Sequence, residues 1–309
     1  MKKPIVEPME IVSPAYSIYR LGTIFKIVAF KSQTPRLGVL TKTKQSYDYK
    51  LDASLSRTRR LVLEKGLCNE WGYFCTFTLD KTKYDRFNLS AWHKDFAQWI
   101  RDQRKKLRSL NPDAELRYML VPELHQDGAW HMHGVLSGDI SPLLVSFKDW
   151  HAAGHYVPYH LINQDFSNWP DYQKKFGFCS LAPLRSPVGT AFYMIKYISK
   201  SLCDSTIPLG AKLYYCSQGL EVGYKHLDLY SHHPCLDPLL TMDCEFCRLG
   251  YSSPADGFDF TFALDLADQE GVTLDLQSMP DWLSDADLDD LDAMIQESWY
   301  QASFDDYVY

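Results

Sequence analysis

Four short segments in the middle of the chain have the composition of β-strands. They are rich in aromatic and β-branched residues and lie between turn residues, which is typical of strands in a sheet. They cover residues 72–79, 116–124, 129–137 and 177–185. Positions 18–30 predict one or two further strands near the start of the chain.

Helical periodicity alternates with these strands. Between positions 88 and 110, apolar residues recur every three or four positions, which predicts a long amphipathic helix. Residues 51–65 predict a helix that Gly66 ends, and residues 187–202 predict another, with Ser186 as its N-cap. Strands interleaved with helices in this order predict an α+β domain with a central antiparallel sheet and flanking helices.

One predicted strand carries a pair of histidines. His131 and His133 are one residue apart, so their side chains point to the same face of the strand. A turn at residues 126–128 would fold the chain into a hairpin and bring Glu123 of the preceding strand beside them. Two imidazoles and a carboxylate suit a divalent metal with positions open for substrate and water. Taken alone, the pair is equally compatible with polar residues on a surface strand.

The predicted helix 187–202 carries the pattern Tyr-x-x-Lys twice. Tyr193 and Tyr197 lie one helical turn apart, and so do Lys196 and Lys200. By itself the pattern also fits a helix with two half-buried tyrosines and two solvated lysines.

Together with a third stretch, Phe-Cys-Thr-Phe-Thr-Leu-Asp at residues 74–80, these motifs resemble those of the HUH endonucleases. Within that superfamily they are most similar to rolling-circle replication initiators, the Rep proteins of phages, plasmids and integrative elements. The metal motif resembles the E-L-H-x-x-G-x-x-H-x-H arrangement of plant single-stranded DNA virus initiators, and the doubled Tyr-x-x-Lys resembles the nucleophile helix of isometric-phage initiators. All three motifs stand in the family's order, and the resemblance covers about residues 50–220.

The resemblance implies a fold, an activity and a cofactor. The fold is an RRM-like or ferredoxin-like HUH endonuclease domain, expected over residues 48–220 with an aromatic and histidine-rich insertion at about 140–172. The activity is metal-dependent nicking and rejoining of single-stranded DNA at a replication origin through a covalent phosphotyrosine. The cofactor is Mg²⁺ or Mn²⁺.

The resemblance also assigns roles to individual residues. It implies that Glu123, His131 and His133 hold the metal. Tyr197 is favoured as the obligatory nucleophile with Tyr193 as its partner. Lys196 and Lys200 would activate the tyrosine or bind phosphate.

Two further groups are candidates for contact with DNA. Thr76 and Thr78 lie on the same face of the first motif's strand, and by resemblance they touch DNA or the metal ligands. Arg57, Arg59 and Arg60 form a basic cluster on the predicted helix 51–65, where they would contact phosphate. A sheet threonine without a further role and a solvated arginine face are the alternatives.

Charge is distributed unevenly along the chain. From Leu249 onward there are 15 Asp and Glu and no Lys or Arg, so with a net charge of −7 the part before it carries +8. A basic body with an acidic tail is a pattern of nucleic-acid-binding proteins. We therefore treat residues 1–47 as an N-terminal segment of unclear structure and residues 221–309 as a C-terminal extension with an acidic tail, in which Ser284 would cap a helix.

Other sequence features bound the function. The scattered cysteines fit a reducing cytoplasm, and no apolar run is long enough to span a membrane. Because there is no P-loop, unwinding would require a separate host helicase. Conjugative relaxases and HUH transposases share this kind of site and remain alternatives, as does a non-catalytic origin-binding regulator. A structural zinc site at Cys235, Cys244 and Cys247 is a further hypothesis.

Overall fold

The computed structural model describes residues 14–31, 46–125, 127–138, 140–186, 188–191, 193–194, 212–244 and 247–272. The chain divides into two compact units. Unit 1 contains residues 1–48 and 223–293, and unit 2 contains residues 49–222 and 294–309.

Unit 2 is built on a seven-stranded antiparallel sheet. Its strands, in chain order, are β3 (Tyr73–Thr78), β4 (Tyr118–Leu124), β5 (Trp130–Leu136), β6 (Val145–Ser146), β7 (Ser167–Asn168), β8 (Cys179–Pro183) and β9 (Tyr215–Cys216). Across the sheet the order is β6-β7-β8-β3-β5-β4-β9. Strand β5 therefore lies between β3 and β4, and it pairs antiparallel with both along its length.

The helices of unit 2 flank this sheet. They are α1 (Ser46–Leu67), α2 (Leu89–Leu110), α3 (Phe147–Ala152), α4 (Tyr159–Ile162), α5 (Pro170–Lys175) and α6, formed by residues 188–191 and 193–194. Asn88 caps α2, accepting a hydrogen bond from the Ala91 N–H. Ser186 likewise accepts one from the Gly189 N–H, which confirms it as the cap that the sequence predicts for α6.

Alternation along the strands sorts the two faces of the sheet. One face carries Phe77, Leu120 and Met132, all fully buried in a large core with Trp92 and Phe96 of α2. The opposite face carries a second core, in which α1 and α6 pack on the sheet; its buried members are Val62, Trp71, Met119, Val121, Val135, Met194 and Leu220.

The segment predicted as an insertion at 140–172 is part of the sheet's edge. It supplies β6 and β7, and two of its rings belong to the large core: Trp169 lies 4.7 Å from Trp99, and Tyr172 lies 4.4 Å from Phe77. Other residues of the segment form a small separate core around Phe147.

Unit 1 contains a second antiparallel sheet, which the sequence did not predict. Its strands are β1 (Tyr16–Leu21), β2 (Ile24–Phe30), β10 (Tyr224–Leu229), β11 (Met242–Asp243) and β12 (Cys247–Ser252), in the order β10-β1-β2-β12-β11. The final described helix, α7 (Phe260–Glu270), contributes Leu266 to the core of this unit. Residues that we separated as an N-terminal segment and a C-terminal extension are thus hydrogen-bonded neighbours.

The predicted fold class is confirmed: the protein is α+β, with antiparallel sheets flanked by helices, and this is consistent with a ferredoxin-like HUH domain. The boundaries differ by a few residues, and α1 begins at Ser46 rather than at 51. The helix proposed after Ser284 lies outside the described residues. None of the helices within the described ranges is both long and apolar enough to cross a membrane.

The close approach of β5 to β4 at Gly134 generates a first prediction. A Cβ at Gly134 would lie 2.1 Å from the Met119 carbonyl oxygen, whereas a Cβ at Gly72 would meet its nearest atom at 3.6 Å. We expect Gly134→Ala to destabilise the protein by about 1–3 kcal/mol or more, because the strands must separate. Gly72→Ala is the matched control and should change stability little. Thermal unfolding of the variants checks this, and equal melting temperatures would contradict it.

Candidate active site

The β4–β5 hairpin brings the predicted carboxylate and imidazoles together. Its turn is closed by the His125 N–H, which donates to the Ala129 carbonyl, and Gly128 adopts a left-handed φ of 80°. Glu123 is the direct cross-strand partner of His131, and His133 lies two residues further along the same face. The Glu123 carboxylate Oε2 lies 2.7 Å from His133 Nε2.

Strand β3 supplies a hydroxyl to each imidazole from the other side. Thr76 is paired with His133 and Thr78 with His131 in the antiparallel register. Thr76 Oγ1 lies 3.2 Å from His133 Nδ1, and Thr78 Oγ1 lies 3.3 Å from His131 Nδ1. Each ring is therefore held through Nδ1, which leaves Nε2 as the nitrogen directed away from the threonine.

The site is largely shielded from solvent. The side chains of His133 and Glu123 are 5% and 12% exposed. Burial, together with positive charge on the neighbouring His125 and His133, lowers the pKa of His131 to about 4, although Glu123 opposes the shift. His131 is therefore neutral at physiological pH, the form in which an imidazole binds a metal.

Two rings that the sequence analysis did not assign complete the surroundings. The His125 ring stacks on His131 at a centroid distance of 4.6 Å. The Phe74 ring stacks on His133 at 6.4 Å and lies 5.8 Å from the ring of Tyr193. Period-two alternation was the signal for both, because Glu123 and His125 share a face, as do Phe74, Thr76 and Thr78.

Phe74 connects the tyrosine helix to the histidine pair. Tyr193, on α6, is half-buried and packs against the same sheet face from which the imidazoles project. The structure thus brings together Glu123, His131, His133, Thr76, Thr78 and, through one ring, Tyr193. The other residues proposed on this helix, Lys196, Tyr197 and Lys200, lie outside the described residues.

The arginines proposed to contact DNA lie on α1. Arg57 and Arg60 are exposed, and Arg60 Nε is 3.4 Å from Glu64 in a pair one helical turn apart. Val62 of the same helix is buried on the face of the sheet that carries the site. Two exposed guanidinium groups therefore belong to a helix that covers this face, although no distance places them at the histidines.

The donor atoms at the hairpin fit a divalent cation chemically. Both Nδ1 atoms face hydroxyls, an arrangement that fixes the rings and leaves Nε2 for a ligand. Within the described part of the chain, no three His, Cys, Asp or Glu side chains are already arranged around an ion position. The Glu123–His133 hydrogen bond uses the same oxygen and nitrogen that a cation would bind, so this contact must open on binding.

The zinc hypothesis gains no support from the described residues. The search for groups of three candidate ligands finds none there, and Cys235, Cys244 and Cys247 are free thiols, the first two of them exposed.

Comparison with known proteins gives one match. Residues 72–202 match a family model described as a replication-associated protein of the ORF2 type. No curated protein and no solved structure matches the chain. The matched segment begins just before β3, includes the β4–β5 hairpin and continues through the predicted tyrosine helix. The resemblance to Rep proteins is thereby confirmed for this segment: residues 72–202 carry a Rep-type domain of this replication-associated protein family.

Proposed function

We propose that this replication-associated protein initiates rolling-circle replication by nicking and rejoining single-stranded DNA through a covalent phosphotyrosine. The observation that carries the proposal is the set of side chains on one sheet face: Glu123, His131 and His133, with Tyr193 one aromatic ring away. A carboxylate beside two imidazoles fits a phosphodiester-cleaving centre, and a tyrosine on an adjoining helix fits its nucleophile.

Glu123, His131 and His133 would hold Mg²⁺ or Mn²⁺, which when bound would offset negative charge on the scissile phosphate. Thr76 and Thr78 would keep both imidazoles oriented throughout the reaction. His125, stacked on His131, would limit rotation of that ring and cover it on one side.

The bonds exchanged are as follows. A tyrosine hydroxyl oxygen attacks phosphorus and loses its proton, while the bond from phosphorus to the 3′ oxygen breaks. The products are a 5′ phosphotyrosine and a 3′ oxygen that takes up a proton. Since the phosphotyrosine conserves the bond energy, attack by a 3′ hydroxyl reverses the step and reseals the strand without ATP. We assign the obligatory attack to Tyr197, with Tyr193 as its partner and Lys196 or Lys200 as the cation that promotes deprotonation.

The substrate would be single-stranded DNA at an origin. In-line attack requires a strand freed from its duplex, and a separate helicase would supply it. The exposed arginines Arg57 and Arg60, with Arg59, would bind the phosphate backbone.

A covalent-adduct assay tests the function. Full-length protein is mixed with labelled single-stranded origin oligonucleotides, with and without Mn²⁺, and resolved on a denaturing gel. We expect a metal-dependent protein–DNA band that His131→Ala and Tyr197→Phe abolish, because the first loses a ligand and the second the nucleophile. Tyr193→Phe should reduce the band, and Tyr156→Phe, at an exposed tyrosine outside the site, should leave it unchanged.

The same assay distinguishes the competing functions. Tight origin binding without any adduct would reject the nickase and indicate a regulator. Full adduct with Tyr197→Phe and none with Tyr193→Phe would reverse the assignment of the two tyrosines.

The threonine contacts generate a separate prediction. Thr76→Val and Thr78→Val keep the shape of the side chain and remove the hydroxyl at Nδ1. We expect each to weaken Mn²⁺ binding about 10- to 100-fold, since the imidazoles lose the group that orients them. Mn²⁺ titration followed by electron paramagnetic resonance measures this independently of cleavage. Thr82→Val, whose hydroxyl donates instead to Asp80, is the matched control. Unchanged affinity in both test variants would show that the threonines do not support a metal site.

A further inference from the structure

Unit 1 contains a line of side chains across its sheet that the proposed nuclease function does not use. The cross-strand register places Tyr224 of β10 beside Arg20 of β1, Arg20 beside Phe25 of β2, and Phe25 beside Ser252 of β12. Directly opposed residues share a face. The face is the one that carries the core of this unit, because Phe25 belongs to that core.

Arg20 is a buried charge without a compensating carboxylate. It is 3% exposed, and its Nε–H donates to the Gly22 carbonyl oxygen at 3.0 Å. Its Nη1 is buried and has no hydrogen-bond partner, and no carboxylate pairs with Arg20 among the residues described. A buried ion ordinarily needs an opposite charge, since desolvation costs several kcal/mol.

Two hydroxyls near Arg20 are also unsatisfied. Tyr224 Oη and Ser252 Oγ are both buried without a hydrogen-bond partner, and Ser252 is 2% exposed. Such orphan groups usually mark an ion or water that satisfies them. Three of them on adjacent strands of one sheet face form what we call the Arg20 cluster: Arg20, Tyr224 and Ser252.

The ring of Phe25 locates the cluster. The Arg20 guanidinium carbon lies 5.7 Å from the Phe25 centroid, and the His226 ring lies 5.8 Å from it. The His226 ring is also 6.1 Å from that of Tyr224. Burial, followed by the charge on Arg20, lowers the pKa of His226 to about 4, so His226 is neutral at pH 7 and Arg20 supplies the positive charge.

We infer that the Arg20 cluster binds a small oxyanion, with a phosphate group as its ligand class. A guanidinium presents a planar pair of donors that matches a phosphate or carboxylate, and two hydroxyl donors complete a tetrahedral ligand better than a planar one. A water molecule would satisfy the hydroxyls but would leave the charge of Arg20 uncompensated. Because the donor atoms are buried, the ligand is a free or terminal phosphate rather than one inside a DNA backbone.

Phosphate titration of the full-length protein tests the inference. The protein is dialysed into chloride buffer and titrated with inorganic phosphate or dAMP at constant ionic strength, using calorimetry. We expect saturable binding that Arg20→Met abolishes and that Tyr224→Phe and Ser252→Ala each weaken roughly 5- to 10-fold. Arg248→Met, at an exposed arginine of the same unit, is the control and should bind like the wild type. Tighter binding of dAMP would identify a nucleotide phosphate as the ligand, and tighter binding of phosphate the free ion; either supports the site.

Thermal unfolding gives a second readout. In chloride buffer Arg20→Met should melt at the same temperature as the wild type or higher, because it removes a buried uncompensated charge. Phosphate should raise the melting temperature of the wild type and not that of the variant. No saturable binding at millimolar phosphate would overturn the inference. Equal binding by the wild type and all three cluster variants would also overturn it, since that result indicates an adventitious ion only. Neither readout depends on DNA cleavage, so the nuclease proposal stands or falls separately.

Discussion

The antiparallel pairing of β5 with both β3 and β4 is the constraint on which the candidate site depends. Because side chains alternate along a strand, this one strand buries Met132 in the core with α2 and turns His131 and His133 to the other face. A shift of one residue in either register would exchange the two sets. The apolar core therefore fixes the positions of the imidazoles, and the site needs no separate framework.

Much of this arrangement was predictable because it is local. The spacing of His131 and His133, the turn before them and the length of the preceding strand together predict that Glu123 lies beside the histidines, and the structure has the two strands in that register. The contacts of Thr76 and Thr78 with the imidazoles were expected only from family resemblance. No pattern within β3 reveals that β5 is its neighbour, since about fifty residues separate the two strands.

Unit 1 shows where such prediction fails. Strand β1 pairs with β10, which follows it by about two hundred residues, and neither segment alone indicates the other as its partner. The burial of Arg20 was equally hidden, because an arginine at the end of an amphipathic strand predicts a solvent-facing residue. Only the arrangement of four strands shows that this position faces the core.

The chain connectivity constrains the order of folding. The segments of unit 2 that carry the two sheet faces and the site are continuous in sequence, whereas unit 1 requires strands from both sides of them. During synthesis β1 and β2 emerge first, but a two-stranded hairpin is at best marginally stable by itself. The Rep-type domain can therefore form its core before β10 and β12 are made, and completion of the five-stranded sheet must follow it. Substitutions that weaken unit 1 should consequently act late in folding and leave assembly of the β4–β5 hairpin intact.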